Sequence, residues 1–131
     1  MKEFSASWKS SKKPRKQRKY RFRAHLHTKR KFVHSHLSKD LRKKYSKRSI
    51  GLRKGDKVRI MRGQFKKHEG RIERVELKSS RVFVNGIEST KKDGTKKLLP
   101  LQPSSLMITE LNLDDKLRQK LLEKKQSLER K

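Results

Sequence analysis

The sequence predicts a mainly β domain, a small and strongly bent barrel preceded by a basic N-terminal arm and followed by a C-terminal helix. Between residues 52 and 111, short apolar runs alternate with polar residues and are separated by glycine, serine and proline turns. The segment 1–51 is strongly basic with sparse apolar residues. The segment 112–131 carries leucines every four residues, which is typical of a helix. We therefore divide the chain into an arm (1–51), a barrel (52–111) and a helical tail (112–131).

The predicted barrel is organised around two strands joined by a basic loop. Apolar alternation runs through Val58–Ile60 and resumes after Gly70. The three-residue spacing between Ile72 and Val75 breaks strict alternation, so we expect a β-bulge there. A charged loop on a rigid pair of strands is an arrangement suited to gripping a phosphate backbone.

Further short strands follow along the chain. Arg81–Val84 predicts a third strand after a serine turn, and Ile87–Thr90 with Thr95–Leu99 predicts a hairpin whose tip is Lys91–Gly94. Leu106–Ile108 supplies a last short strand. About five short strands in about sixty residues favour a small bent barrel.

Within the arm, one short helix is predicted near Lys39–Tyr45. Ser38 is suited to cap its N-terminus, and Asp40 lies in its first turn. Leu41 and Tyr45 are four residues apart and share one face, which leaves the cations pointing outward. The pattern leaves open whether this helix docks the arm or reads RNA.

The C-terminal helix is predicted from the stretch that begins near Asn112. Asp114 and Asp115 suit a helix start, and Leu113, Leu117 and Leu121 form a narrow apolar stripe. We expect this stripe to pack on the barrel or on a neighbouring protein.

The amino-acid composition limits the possible functions of the chain. The 131 residues include 41 Lys+Arg against 13 Asp+Glu, a formal net charge of +28, and only 29% are hydrophobic. Such an excess implies a polyanionic partner, and a chain this polar leaves part of itself unstructured when alone. There is no cysteine, hence no disulfide framework and no thiolate nucleophile, and a reducing cytosol fits. No apolar run approaches the length of a membrane span. The N-terminus has no apolar h-region, and its charges come in runs, so we expect neither a signal peptide nor an organellar presequence.

We expect the arm to be extended and to contact nucleic acid. The stretch Lys12–Arg23 interleaves Tyr20 and Phe22 with arginines, so cations can pair with phosphates while rings stack on unpaired bases, as Trp8 can also do. One alternative is a disordered tail whose aromatic residues make no specific contact, and another is a nuclear import signal. The net charge favours nucleic acid.

Catalysis and metal binding are poorly supported. No G-x-S-x-G elbow is present. The pairs His25/His27 and His34/His36 have spacing that could serve zinc, but they lie in the most cationic segment without carboxylates, where a divalent cation is repelled. We therefore predict a protein that is not an enzyme and that uses no metal, no cofactor and no small-molecule substrate.

The glycines of residues 52–84, the strands around the basic loop that we call the β-unit, have recognisable roles. Gly55 supplies a turn before the first strand, Gly63 a corner after it, and Gly70 a strand start where the backbone can approach something closely. Each taken singly is also consistent with ordinary turn chemistry.

The run G-D-K-V-R-I-M-R-G-Q-F-K-K-H-E-G-R-I at residues 55–72 resembles a KOW motif. Together with P-R-K-Q-R-K-Y, L-S-K-D-L-R-K-K-Y and M-I-T-E-L-N-L-D-D-K, it resembles the family of the universal large-subunit ribosomal protein number twenty-four, in its archaeal and eukaryotic form and more archaeal than eukaryotic. The similarity extends from about Pro14 to Lys125.

The resemblance implies an SH3-like barrel in the cytoplasmic ribosome. It implies binding to the 5′ region of the large-subunit ribosomal RNA, a role early in subunit assembly, neighbouring ribosomal proteins, and a place near the exit of the nascent-chain tunnel. A KOW protein of transcription elongation, or an architectural nucleic-acid-binding protein, is the alternative. The charge pattern and the resemblance together predict RNA contacts by Lys13, Arg15, Lys16, Arg18, Lys19, Tyr20, Arg21, Arg23, His27, Lys29, Arg30, Lys31, Lys39, Arg42, Lys43, Arg53, Arg62, Gly63, Lys66, Lys67, His68 and Gly70.

Three positions depart from the family's pattern. Lys67 stands where glycine is common, which argues against a φ > 0 turn at that residue and for an added phosphate contact. Gln102 takes the place of a frequent histidine. His25 replaces a frequent proline, which loosens the arm locally.

Overall fold

The computed structural model describes residues 3–129, with side chains described through residue 123. The strands are β1 (His34–Leu37), β2 (Ser49–Gly51), β3 (Lys57–Ile60), β4 (Glu69–Glu76), β5 (Arg81–Val84), β6 (Glu88–Thr90), β7 (Lys96–Leu98) and β8 (Leu106–Glu110). The helices are α1 (Pro14–Arg23), α2 (Leu26–Phe32), α3 (Lys39–Tyr45) and α4 (Lys116–Glu129), with 3₁₀ turns at Ala6–Ser10 and Pro103–Ser105.

The main sheet has six strands in the order β2-β1-β8-β3-β4-β5. Its pairs are antiparallel except for β1 with β8, and β6 with β7 forms a separate hairpin. Within residues 3–129 this sheet is open, with β2 and β5 at its edges. Beyond its ladder with β4, β5 makes an isolated bridge from Val82 to Leu101. The fold is therefore mixed α/β around a multi-stranded sheet, and the expected closed barrel is not confirmed.

The strands and the turn chemistry of the β-unit were predicted well. β3 and β4 flank the basic loop, and the register of β4 against β5 shifts between Ile72 and Arg74, which confirms the bulge. The third strand coincides with the predicted Arg81–Val84, and the β6–β7 hairpin turns at the predicted tip. These features follow from local patterns, which is why the sequence revealed them.

The expectation of an extended arm is wrong in two respects. Residues 14–23 and 26–32 are helical, because lysine, arginine and glutamine are good helix formers and Pro14 is suited to the first helical position. The segment from residue 33 onward belongs to the sheet, as β1 and β2. Val33, Leu37 and Ile50 are buried in the same core as the β-unit. The basic arm proper therefore ends near residue 32.

Helix α3 has the predicted bounds and cap. The Leu41 backbone N–H donates to the Ser38 side chain at 3.4 Å. Leu41 and Tyr45 pack against the core, whereas Lys43 on the other face is exposed. The αL conformation of Ser46 (φ 49°) ends the helix.

Helix α4 presents a different face from the one predicted. Leu117 and Leu121 are 74% and 55% exposed, whereas Leu122 is 1% and Arg118 4% exposed. The expectation that the leucine stripe packs on the domain is wrong for Leu117 and Leu121, because the helix is turned to bury Arg118. That the stripe packs on a neighbouring protein stays a prediction.

Arg118 is buried because it pairs with Asp56, the residue just before β3. The two guanidinium NH groups approach the two Asp56 oxygens at 2.6 and 2.7 Å, and Asp56 is fully buried. Arg118 also donates to the carbonyls of Asn112 (2.8 Å) and Gly51 (3.2 Å). Asp56 in turn accepts the backbone N–H groups of Arg53 and Asn112, each at 2.9 Å. This network joins α4, the end of β2 and the start of β3.

Gly70 lies where another backbone segment comes close, as the sequence predicted. A Cβ at this position would lie 2.7 Å from the Asn85 carbonyl oxygen and 2.7 Å from Val84 Cγ1. Real Cβ atoms do not approach backbone this closely, so any larger residue displaces β4 from β5.

Gly70→Ala is therefore expected to lower the free energy of unfolding by about 1–3 kcal/mol, because the added methyl forces the β4–β5 segment apart. Urea unfolding followed by circular dichroism measures the change. Gly51→Ala is the matched control, since its Cβ would lie 3.4 Å from the His34 ring. The control is expected to change stability by less than about 1 kcal/mol. Equal effects of the two variants would contradict the close approach at Gly70.

Candidate nucleic-acid interface

The backbone of the loop between β3 and β4 is closed by hydrogen bonds between its two ends, and its charged side chains project from it. The Lys67 N–H donates to the Ile60 carbonyl at 2.8 Å, and the Ile60 N–H donates to the His68 carbonyl at 2.9 Å. Phe65 anchors the loop by packing against the core and meets the His68 ring edge-to-face at 5.9 Å. The predicted contact residues Arg62, Gly63, Lys66, Lys67 and His68 are all exposed. Gly70 differs from them, because it is the second residue of β4, is half-buried and lies close to the Asn85 backbone and the Val84 side chain.

Lys67 adopts the left-handed conformation that its identity argued against. Its φ is 75°, so the φ > 0 turn that the lysine was expected to disfavour is present. The hydrogen bond from Lys67 to Ile60 fixes this conformation, and a lysine held there carries strain of about 1–2 kcal/mol. The loop therefore forms this turn with a lysine, whose charged side chain is exposed.

Lys67→Gly is expected to leave the protein more stable than Lys66→Gly by about 1–2 kcal/mol. Only Lys67→Gly removes the backbone strain of a non-glycine residue in the left-handed conformation. Each variant removes one exposed cation, so both are expected to weaken RNA binding to a similar extent. Urea unfolding and filter binding measure the two properties. If Lys67→Gly proved the less stable of the two, the assignment of backbone strain to Lys67 would be wrong.

The predicted contact residues of the arm lie on helices α1 and α2, except for Lys13 at the N-cap of α1. Most are exposed, and three are half-buried: Lys19, Tyr20 and Lys29. The exposed residues are Lys13, Arg15, Lys16, Arg18, Arg21, Arg23, His27, Arg30 and Lys31.

An aromatic cluster holds the arm together. The Tyr20 ring stacks on Phe4 with centroids 5.5 Å apart and meets Phe32 edge-to-face at 5.9 Å. Lys19 lies over the Trp8 ring at 5.1 Å. Phe22, in contrast, is 79% exposed, so its ring is the most accessible of these for a base. Tyr20 therefore has a structural contact in the arm, and its predicted contact with RNA stays a prediction.

The remaining predicted residues lie on two separate surfaces. Lys39, Arg42 and Lys43 are exposed on α3. Arg53 is half-buried and pairs with Asp115 at the start of α4. Burial, followed by the positive charges of neighbouring arginines, lowers the pKa of Arg53. Arg53 thus lies apart from α3, in the network that fixes α4.

The structure brings together two predicted residues and two that sequence reasoning missed. Arg42 of α3 and Arg62 of the β3–β4 loop both lie near His36 of β1, together with Arg48. Burial lowers the pKa of His36, and the charges of Arg42, Arg48 and Arg62 lower it further. The alternation of His34 and His36 with buried Ser35 and Leu37 was the one sequence signal that these histidines share an outward strand face.

Several carboxylates pair with cations of the sheet and of α4. Glu69 accepts from Arg59 at 2.7 Å, Glu110 accepts from Lys57 at 3.1 Å, and Asp56 pairs with Arg118. No comparable pairing with a carboxylate is seen for the exposed cations of α1 and the β3–β4 loop in the described side chains. Positive charge therefore remains available on the arm and the loop.

The histidine pairs adopt unrelated arrangements. The rings of His25 and His27 stack at 5.8 Å, whereas His34 and His36 belong to β1. Among the described residues, no group of three side chains could hold a metal ion, and no helix is long and apolar enough to cross a membrane.

The comparison with known proteins identifies the family. Residues 11–125 match the model of the family that comprises the eukaryotic ribosomal proteins L26 and their archaeal counterparts. The chain belongs to this family. The large ribosomal subunit protein uL24 of Methanosphaera stadtmanae is 47% identical over 115 residues, which cover 88% of this chain and 98% of the relative. That of Methanothrix thermoacetophila is 48% identical over 111 residues, covering 85% and 96%.

Membership in this ribosomal protein family confirms the resemblance drawn from the motifs, including its archaeal character. The match begins at residue 11 and spans the sheet and most of α4, so it includes the residues that form the basic helices α1 and α2. The ribosomal family and the exposed cations point to the same class of partner.

Proposed function

We propose that the chain is a structural, non-catalytic constituent of the large ribosomal subunit that binds the subunit's RNA. The observation that carries this proposal is the family match over residues 11–125, in a chain with a net charge of +28. Its partners are the large-subunit RNA and neighbouring ribosomal proteins, and its location is the cytoplasmic ribosome. Binding in the 5′ region of that RNA, a role early in assembly and a place near the tunnel exit belong to the same proposal.

The division of charge supports a mechanism of phosphate neutralisation. Cations of the arm release counterions as they meet RNA phosphates, which supplies affinity largely independent of sequence. The closed β3–β4 loop presents Arg62, Lys66 and Lys67 in fixed directions, which suits recognition of RNA shape. The arm thus contributes affinity, and the loop contributes position.

The finer fold description is part of this proposal. We infer that β3, β4, β5 and β8 form the SH3-like part of a KOW domain. Support comes from the consecutive antiparallel pairing of β3, β4 and β5 and from the bulge in β4. The bridge from Val82 to Leu101 adds support, because it shows that the chain returns to β5 after the β6–β7 hairpin. Residues 1–32 then act as the arm, and α4 as a brace beside β3.

A sucrose gradient of lysate in high salt, with the chain detected by antibody, tests the proposed function. We expect the full chain to migrate with the large subunit, and to move to the top of the gradient after ribonuclease digestion, because RNA phosphates hold it there. A variant with Arg62→Ala and Lys66→Ala is expected to dissociate at lower salt than the wild type. Migration with RNA polymerase, or with the small subunit, would contradict the proposal.

A further inference from the structure

The outward face of β1 carries a histidine between two neighbouring strands. His36 pairs in register with Ser49 of β2 and with Met107 of β8. Its neighbours in the strand, Ser35 and Leu37, are buried, so the alternation of β1 directs His36 away from the core. His36 is therefore half-buried on the outward face of β1 and flanked on both sides by uncharged strand residues.

The charges of three arginines act on His36, one from α3, one from the segment before β2 and one from the β3–β4 loop. The Arg42 guanidinium is fixed by its Nε donating to the Leu37 carbonyl at 2.8 Å, at the end of β1. Arg48 directly precedes β2, and its carbonyl accepts the Leu37 N–H at 3.0 Å. Arg62 follows Met61, whose N–H donates to the Ser105 carbonyl at 2.8 Å just before β8, and β8 pairs with β1 beside His36. All three lie close enough to His36 for their charges to act on its imidazole.

These arginines differ from those elsewhere in the domain. Arg53, Arg59 and Arg118 each pair with a carboxylate. Among the side chains that the structure describes, those of Arg42, Arg48 and Arg62 make no ion pair with a carboxylate. Bringing like charges together raises their electrostatic energy, and an anion bound among them offsets this cost.

We propose that His36, Arg42, Arg48 and Arg62 form one binding site for a backbone phosphate of the large-subunit RNA, on the outward face of β1. The proposal rests on the proposed function and deepens it. Guanidinium groups grip phosphate oxygens with paired N–H donors, and an imidazole adds one further donor. The site joins the β3–β4 loop to α3, so both engage the same stretch of RNA.

Phosphate binding at this site has a consequence for the His36 proton. The charged groups that face His36 are Arg42, Arg48 and Arg62, whereas β2 and β8 contribute the neutral Ser49 and Met107. A bound phosphate counters the three positive charges, so RNA is expected to raise the pKa of His36. Removing one arginine is expected to raise this pKa in the free protein for the same reason.

The test is the salt dependence of RNA binding by the full chain with Arg48→Gln. The probe is a transcript of the 5′ region of the large-subunit RNA. We expect the slope of log K against log salt to become shallower by about one, the loss of one phosphate contact. Arg71→Gln is the matched control, because Arg71 is an exposed arginine on β4, three strands away from β1. It is expected to leave the slope unchanged.

A second variant and an NMR titration complete the test. Arg62→Gln is expected to repeat the effect of Arg48→Gln, and circular dichroism establishes that each variant is folded. NMR titration of the His36 imidazole is expected to show a higher pKa in Arg48→Gln and in the RNA complex. Folded Arg48→Gln and Arg62→Gln proteins with wild-type slopes would overturn the phosphate site while the proposed function stands. A wild-type chain that prefers a small-subunit transcript would instead contradict the proposed function.

Discussion

The buried pair of Asp56 and Arg118 is the interaction on which this architecture depends. Desolvating two charges costs several kcal/mol, which only good geometry and further hydrogen bonds offset. Here both are present, since Asp56 accepts two backbone N–H groups and Arg118 donates to two carbonyls as well as to the carboxylate. The pair fixes which face of α4 meets the sheet, and it holds the turn that starts β3.

Some charged residues form ion pairs that stabilise the fold, and others are exposed and available to a binding partner. Acidic residues are few, 13 against 41 basic ones, and four of them, Asp56, Glu69, Glu110 and Asp115, form ion pairs within the sheet and α4 region. The exposed cations of α1, α2 and the β3–β4 loop are left to meet an external polyanion. A neutral surface would have required acids on the arm, which has almost none. The ion pairs that stabilise the fold and the exposed cations proposed to bind RNA thus lie in different parts of the chain.

The sequence predicted what local patterns determine and missed what distant contacts determine. β3, β4, the bulge after Ile72 and helix α3 were all predicted from alternation, spacing and caps. The orientation of α4 was not, because the pairing of Arg118 with Asp56 joins residues 62 apart in the chain. The site around His36 was missed for the same reason, since its arginines come from three elements. The helical arm was missed because sparse apolar residues were taken to mean extended chain.

A double-mutant cycle on Asp56→Ala and Arg118→Met tests the central claim that this buried pair determines the architecture. Urea unfolding of the wild type, both single variants and the double variant gives the coupling energy. We predict that each single variant loses about 3–5 kcal/mol, because one buried charge is left without its partner. The double variant is predicted to lose less than the sum of the two by about 2 kcal/mol or more. Additive losses within about 0.5 kcal/mol would contradict the account.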